Sequence, residues 1–213
     1  MVEIEPGAVL WRDAETGREG SPLLVVMHGF GSNEADLFSL APAIPGRFTV
    51  ASLRAPFVLQ DGLAGMPGAY AWFDIGQAED RSKIDASVAA VIAWLDDLEG
   101  FSSIGLMGFS QGGVMSLQLA RTQPERFAYL VQLSGFTHPA PHDGDSALET
   151  LEPRVPAFQA WGTHDPIIPQ RATELTREWM AAHLDTEAHG YDMEHAVVPE
   201  EISDIVAFLE RVV

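Results

Sequence analysis

The sequence contains no cysteine. That excludes a disulfide scaffold, a thiolate nucleophile, Cys-ligated zinc and iron–sulfur clusters. Lysine is almost absent, Lys83 being the only one, and basic residues number 12 against 31 acidic ones. The net charge of −19 leaves no polybasic patch, so no nucleic-acid partner and no attraction to anionic membranes is expected. No apolar run approaches the ~18 residues of a membrane span, so stable membrane insertion is not expected either. Met1 to Pro6 is acidic and lacks the basic and apolar segments of a signal peptide, which makes the cytoplasm the expected compartment. Internal repeats and low-complexity runs are missing too.

What is present suits one globular domain spanning 1–213, with 46% hydrophobic and 20% charged residues. Short apolar runs alternate with helical periodicities. Leu23–Met27 is continuously apolar, as a strand buried on both faces requires. Phe48–Leu53, Ser103–Met107, Tyr129–Leu133 and Pro156–Trp161 repeat that theme, with Ala8–Trp11 and Thr186–Tyr191 as weaker strands nearer the edges. Ile84, Val88, Ile92, Leu95 and Leu98 recur at helical spacing, as do Ala172, Leu175 and Trp179, and Ile202, Ile205, Leu209 and Val212. Alternating strands and helices predict an α/β fold with a mostly parallel central sheet covered on both faces. Ligands of such sheets bind beyond the carboxyl ends of the strands, so the loops there are where chemistry is expected.

The most informative of these loops follows Ile104–Met107. It reads Gly108-Phe109-Ser110-Gln111-Gly112-Gly113 and leads into a helical segment. Gly-x-Ser-x-Gly between strand and helix makes a sharp turn that lifts the serine above the sheet. A phosphate-binding loop would need a lysine beside Ser or Thr, and none is near. Acyl transfer also needs two N–H donors for the developing oxyanion. One is expected from Gln111, after the serine, and the other from Phe30 in His28-Gly29-Phe30-Gly31, after Leu23–Met27. His28 reads as a brace for that loop rather than as the base.

In an α/β-hydrolase the acid and then the histidine follow the serine along the chain. Asp165, in Gly162-Thr163-His164-Asp165-Pro166, follows the strand at 156–161. Of the later histidines, His183 falls late on a helix and His189 within a strand. His195 falls in the loop between the last strand and the last helix, which overhangs the carboxyl ends. Ser110, Asp165 and His195 are therefore the expected triad. No histidine pair has a metal-ligand pattern, and neither metal nor organic cofactor is expected.

These motifs, with Trp72-Phe73-Asp74, Leu133-Ser134-Gly135 and Met193-Glu194-His195, resemble the phospholipase/carboxylesterase family of α/β-hydrolases along nearly the whole chain. The resemblance implies the same triad, the Phe30 and Gln111 amides as oxyanion hole, and an acyl pocket bordered by Trp72 and Phe73. Leu63, Met66 and Ile167 are further candidates for that pocket. It also implies a monomer or homodimer. The family commonly has Leu where Phe30 stands and often Asp where Ser32 stands. The expected activity is a serine carboxylesterase acting on small-molecule esters with short to medium acyl chains. An acyl thioesterase or lysophospholipase with the same triad is the alternative, and a non-catalytic binding protein the remaining one. The segment 135–153 is long enough for a small flap and too short for a large lid domain.

Overall fold

In the computed structural model, which describes residues 2–59, 68–75 and 81–213, nine strands form among the described residues. They are β1 (Leu10–Arg12), β2 (Pro22–Met27), β3 (Thr49–Leu53), β4 (Phe57–Val58), β5 (Tyr70–Ala71), β6 (Ser103–Phe109), β7 (Tyr129–Leu133), β8 (Pro156–Gly162) and β9 (Asp185–Tyr191). Seven make one sheet in the order β1-β3-β2-β6-β7-β8-β9, and β4 pairs with β5 as a separate antiparallel ribbon. Only β1 runs antiparallel within the large sheet, on β3. The two weakest strand signals in the sequence, near residues 10 and 186, are indeed the two edges.

Six α-helices accompany them: α1 (Ala35–Phe38), α2 (Ser82–Asp96), α3 (Gln111–Thr122), α4 (Gly144–Thr150), α5 (Gln170–His183) and α6 (Pro199–Val212). Residues of α2, α3, α4 and α5 share one apolar cluster with Leu23, Val25, Leu106 and Leu130. Residues of α1 and α6 share the other with Leu24, Val26, Met107 and Val131. Successive residues of each central strand thus point to opposite helical layers, which is why these strands are apolar without interruption. Tyr129 is a fully buried phenol in this interior. Its hydroxyl donates to Leu23 O at 3.2 Å, and burial pushes its pKa up, so it stays a donor.

Helix faces depart from the apolar spacing in three places. On α5 the buried residues are Thr173, Thr176 and Met180, while Leu175 is exposed. Thr176 belongs inside because its hydroxyl donates to Ala172 O at 2.8 Å and accepts the Thr137 N–H at 2.9 Å. A threonine satisfied this way packs like a small apolar residue. On α2 the buried face runs through Ile84, Val88, Val91 and Leu95, leaving Ile92 and Leu98 only partly covered. On α6 it includes Glu201, fully buried, beside Ile205, Phe208 and Leu209.

The flap expected at 135–153 is a loop followed by the short α4. A single cation organises it. Arg121, on the inner face of α3, is almost wholly buried and binds Asp145 with both arms, each at 2.7 Å. It also donates to Gln118 Oε1, to His138 O and to Ala140 O. Removing the guanidinium strips a partly buried carboxylate of its two charged donors, leaving it the His142 N–H, and takes one donor each from the His138 and Ala140 carbonyls. Arg121→Met is expected to destabilise the fold by about 3–5 kcal/mol, read as a lower midpoint in urea-induced unfolding.

Candidate active site

Strand order changes direction at β2, which has β3 on one side and β6 on the other. That switch brings the loop after β2 beside the turn after β6. At the turn, Ser110 has φ 54° and ψ −115°, a backbone strain that its N–H bond to Leu133 O at 2.8 Å helps to hold. The flanking glycines are required by close approach. A Cβ on Gly108 would overlap the Gly112 carbonyl, and one on Gly112 would overlap Met27 O at the end of β2. Ser110 is nearly buried, and its hydroxyl makes no hydrogen bond among the described residues.

The loop after β2 is tied down at several points. His28 is fully buried; its Nδ1–H donates to its neighbour Gly29 O at 2.7 Å, and its Nε2 accepts the Ala55 N–H at 3.1 Å. Burial lowers its pKa, which keeps the ring neutral in that tautomer. Both nitrogens are engaged, so His28 braces the loop. Gly31 N–H donates to Tyr70 O, and Tyr70 N–H to Ser32 O, each at 2.9 Å. Between these anchors the Phe30 N–H has no acceptor among the described residues. The Gln111 N–H opens α3 and so has no intrahelical acceptor.

The Gln111 side chain joins the two halves. Its Oε1 accepts the Trp72 N–H at 3.0 Å and its Nε2 donates to Phe73 O at 2.7 Å. Trp72 in turn donates from Nε1 to His28 O at 2.9 Å and accepts from Ser87 Oγ at its carbonyl. Trp72 is fully buried, and these bonds tie it to the loop after β2 and to α3. Phe73 is nearly buried and Ile167 is exposed, at the turn that carries Asp165. Leu63 and Met66 lie outside the described residues.

Asp165 follows β8 and His195 follows the adjacent β9. His195 Nδ1 donates to Asp165 Oδ2 at 2.7 Å, and the other carboxylate oxygen accepts the Ile167 and Ile168 N–H groups at 2.8 and 3.0 Å. Three donors on one inward carboxylate fix its plane. The loops meet because position 162 has no side chain: a Cβ there would overlap the Met193 and Glu194 carbonyls. The imidazole lies 4.8 Å, centroid to centroid, from the ring of Phe109, the residue preceding Ser110. His195 Nε2 has no hydrogen-bond partner among the described residues. The other histidines lie apart: His164 is exposed against Asp192, His183 bonds Trp179 O, and His189 stacks on Phe158. Among the described residues no cluster suited to a metal ion occurs, and no helix is long and apolar enough to cross a membrane.

Behind the His195 loop stands Glu201. Its Oε2 accepts the Val198 N–H at 3.3 Å, while Oε1 has no partner in the buried interior. It stands in the first turn of α6, where acidic residues are common, and nothing in local spacing marks it as inward. Burial raises its pKa from 4.5 to about 7.

Two outcomes follow from this geometry. Gly162→Ala is expected to push the His195 loop off Asp165 and to lower any activity that uses the pair by roughly 100-fold, read in steady-state kinetics. Glu201 binds a proton in the folded chain that it loses on unfolding between pH 4.5 and about 7. Its contribution therefore falls as pH rises through that window. Glu201→Gln is expected to raise stability at pH 8 and to change it little at pH 4.5, measured by urea unfolding at both.

The chain resembles known proteins along nearly its whole length. A profile of the Phospholipase/Carboxylesterase family matches residues 14–213. Acyl-protein thioesterase 1 of Mycosarcoma maydis is 29% identical, the alignment covering 93% of this chain and 94% of that protein. A Bacillus cereus carboxylesterase structure is similar in fold, with a TM-score of 0.75 at 18% identity, covering 96% of this chain and 94% of that one. The Zea mays acyl-protein thioesterase 2 structure gives 0.73 at 20% identity, with 95% and 97% covered. On the family match over nearly its whole length, and on the α/β-hydrolase fold, the chain belongs to the phospholipase/carboxylesterase family of ester hydrolases.

Proposed function

We propose that the chain is a serine carboxylesterase that hydrolyses short- to medium-chain esters through Ser110, His195 and Asp165. The observation that carries this reading is the His195–Asp165 hydrogen bond of 2.7 Å beside a serine held in a strained strand-to-helix turn. In this mechanism His195 Nε2 takes the Ser110 proton as Oγ attacks the ester carbonyl. Asp165 keeps the proton on Nδ1 and stabilises the imidazolium. The oxyanion that forms accepts the Phe30 and Gln111 N–H groups, each such donor contributing roughly 3 kcal/mol to the transition state. His195 then protonates the leaving alcohol. Water, deprotonated by the same imidazole, cleaves the acyl-enzyme and frees Ser110.

Phe73 and Ile167 are the described candidates for contact with the acyl chain, with Leu63 and Met66 proposed beside them. The charge inventory bears on the leaving group. Eight of the twelve cations pair with carboxylates: Arg18, Arg54, Arg81, Lys83, Arg121, Arg126, Arg171 and Arg211. Arg12, Arg47 and Arg154 bind carbonyls, and Arg177 lies over Trp161. Asp192 and Glu194, flanking His195, are exposed. This distribution favours neutral leaving groups over polyanionic ones such as coenzyme A. Acyl thioesterase or lysophospholipase action on the same residues is the second reading, favoured by the near full-length match to a protein named acyl-protein thioesterase.

The test is release of 4-nitrophenol from acetate, butyrate, octanoate and palmitate esters, with Ser110→Ala in parallel. Turnover is expected to peak at butyrate or octanoate and to drop by at least about 10³-fold in folded Ser110→Ala. Activity that survives the substitution removes the assignment. A sulfur ester turned over faster than its oxygen counterpart selects the second reading.

A further inference from the structure

The segment that follows β3, Arg54-Ala55, holds both ends of the loop that carries Phe30. At the near end the Ala55 N–H donates to His28 Nε2 at 3.1 Å. At the far end Arg54 grips Glu34 with two nitrogens, Nε reaching Oε2 at 2.6 Å and Nη2 reaching Oε1. Glu34 is also held by its own carbonyl, which accepts the Ser52 hydroxyl at 2.8 Å from within β3. Both partners are largely covered: the side chain of Arg54 is 28% exposed and that of Glu34 11%. The guanidinium also lies 4.8 Å over the ring of Tyr70, whose backbone clamps Gly31 and Ser32. One cation therefore touches the end of the loop and the strand residue that pins its middle, while its neighbour pins the start. Its remaining arm has only a distant, exposed partner, Glu5 at 3.8 Å.

We propose that Arg54, through its forked bond to Glu34, is a positioning residue that fixes the Phe30 amide for the oxyanion. The inference rests on the reading of Phe30 as an oxyanion donor. Arg54 touches no reacting atom. Its effect is on where the amide stands when negative charge develops on the carbonyl oxygen, and that charge is absent from the bound ester. Loss of the clamp therefore acts on the transition state more than on substrate binding. A planar fork is needed to hold both carboxylate oxygens at once, which a lysine cannot do.

The experiment compares wild type, Ser110→Ala, Arg54→Met, Arg54→Lys and Glu34→Gln on 4-nitrophenyl butyrate. A trifluoromethyl ketone with a short alkyl chain, whose serine adduct carries an oxyanion, serves as the second probe. Arg54→Met is expected to lower kcat by about 10- to 100-fold with KM within about threefold, and to weaken the ketone in proportion to kcat/KM. Arg54→Lys and Glu34→Gln are expected to lie between it and wild type. They preserve most of the local bonding, so they decide the matter if Arg54→Met does not fold. Folded variants with wild-type kcat, or with a raised KM and unchanged kcat, overturn the proposal while leaving the esterase reading intact. A wild type that neither turns over the ester nor is labelled at Ser110 by a fluorophosphonate overturns that reading and this inference together.

Discussion

The arrangement depends on a backbone contact between the first turn of α3 and the end of β2. Gly112 stands where any side chain would overlap Met27 O, and Gly108 where any side chain would overlap the Gly112 carbonyl. Without those side chains, α3 sits directly on the two central strands. The cost is a serine at positive φ, of order 1–3 kcal/mol. It is offset by the burial of Val114, Met115, Leu117 and Leu119 along the same helix. With α3 in that place, the loop after β2 and the turn after β6 lie side by side, and these carry the proposed oxyanion donors Phe30 and Gln111.

Gln111 extends that contact outward. Its carboxamide bonds Trp72 and Phe73, Trp72 bonds the His28 carbonyl, and His28 bonds Ala55. The chain of hydrogen bonds passes from the α3 terminus through the segment at 72–73 to the ends of β2 and β3. Each member is buried, so each lost partner leaves an unsatisfied group at about 1–3 kcal/mol. These bonds tie the two amide-bearing segments into one body. A second crowded point, Gly162 against the Met193 and Glu194 carbonyls, does the same for Asp165 and His195. The two bodies meet where the Phe109 ring faces the His195 imidazole.

Much of this was legible in the sequence because steric demands leave residue-specific marks. Continuous apolar runs marked β2, β6 and β7, and the glycines around Ser110 marked the turn. The order of serine, aspartate and histidine was expected from the α/β-hydrolase pattern, and Ser110, Asp165 and His195 follow β6, β8 and β9. What was not legible depends on partners far apart in the chain. Thr176 looks polar until Thr137 donates to it, and Glu201 looks like a surface carboxylate until α6 packs. Arg54 and Glu34, separated by twenty positions, carry no local pattern that pairs them. The resemblance implies Trp72 at the border of an acyl pocket, while its burial and its hydrogen bonds to Gln111 and His28 arise from residues distant in the chain.

The acidity of the chain sharpens the role of its few cations. With 31 carboxylates against 12 basic residues, self-repulsion on the surface works against the compact state. A cation left in solvent would relieve some of it non-specifically. Instead several serve as internal fasteners. Arg121 fixes the loop after β7 to α3, Arg12 holds the carbonyls of Ile44 and Phe48, and Arg54 holds the end of the loop after β2. Each is at a place where the chain leaves regular structure and its carbonyls or carboxylates point inward. Arginine suits this work because it keeps its charge and offers several donors in a fixed plane. Lysine, a compact charge with three rotatable donors, lacks that planar fork. Other cations pair with carboxylates at the surface, as Arg18, Arg171 and Arg211 do, so the internal fasteners are a subset of the few basic residues.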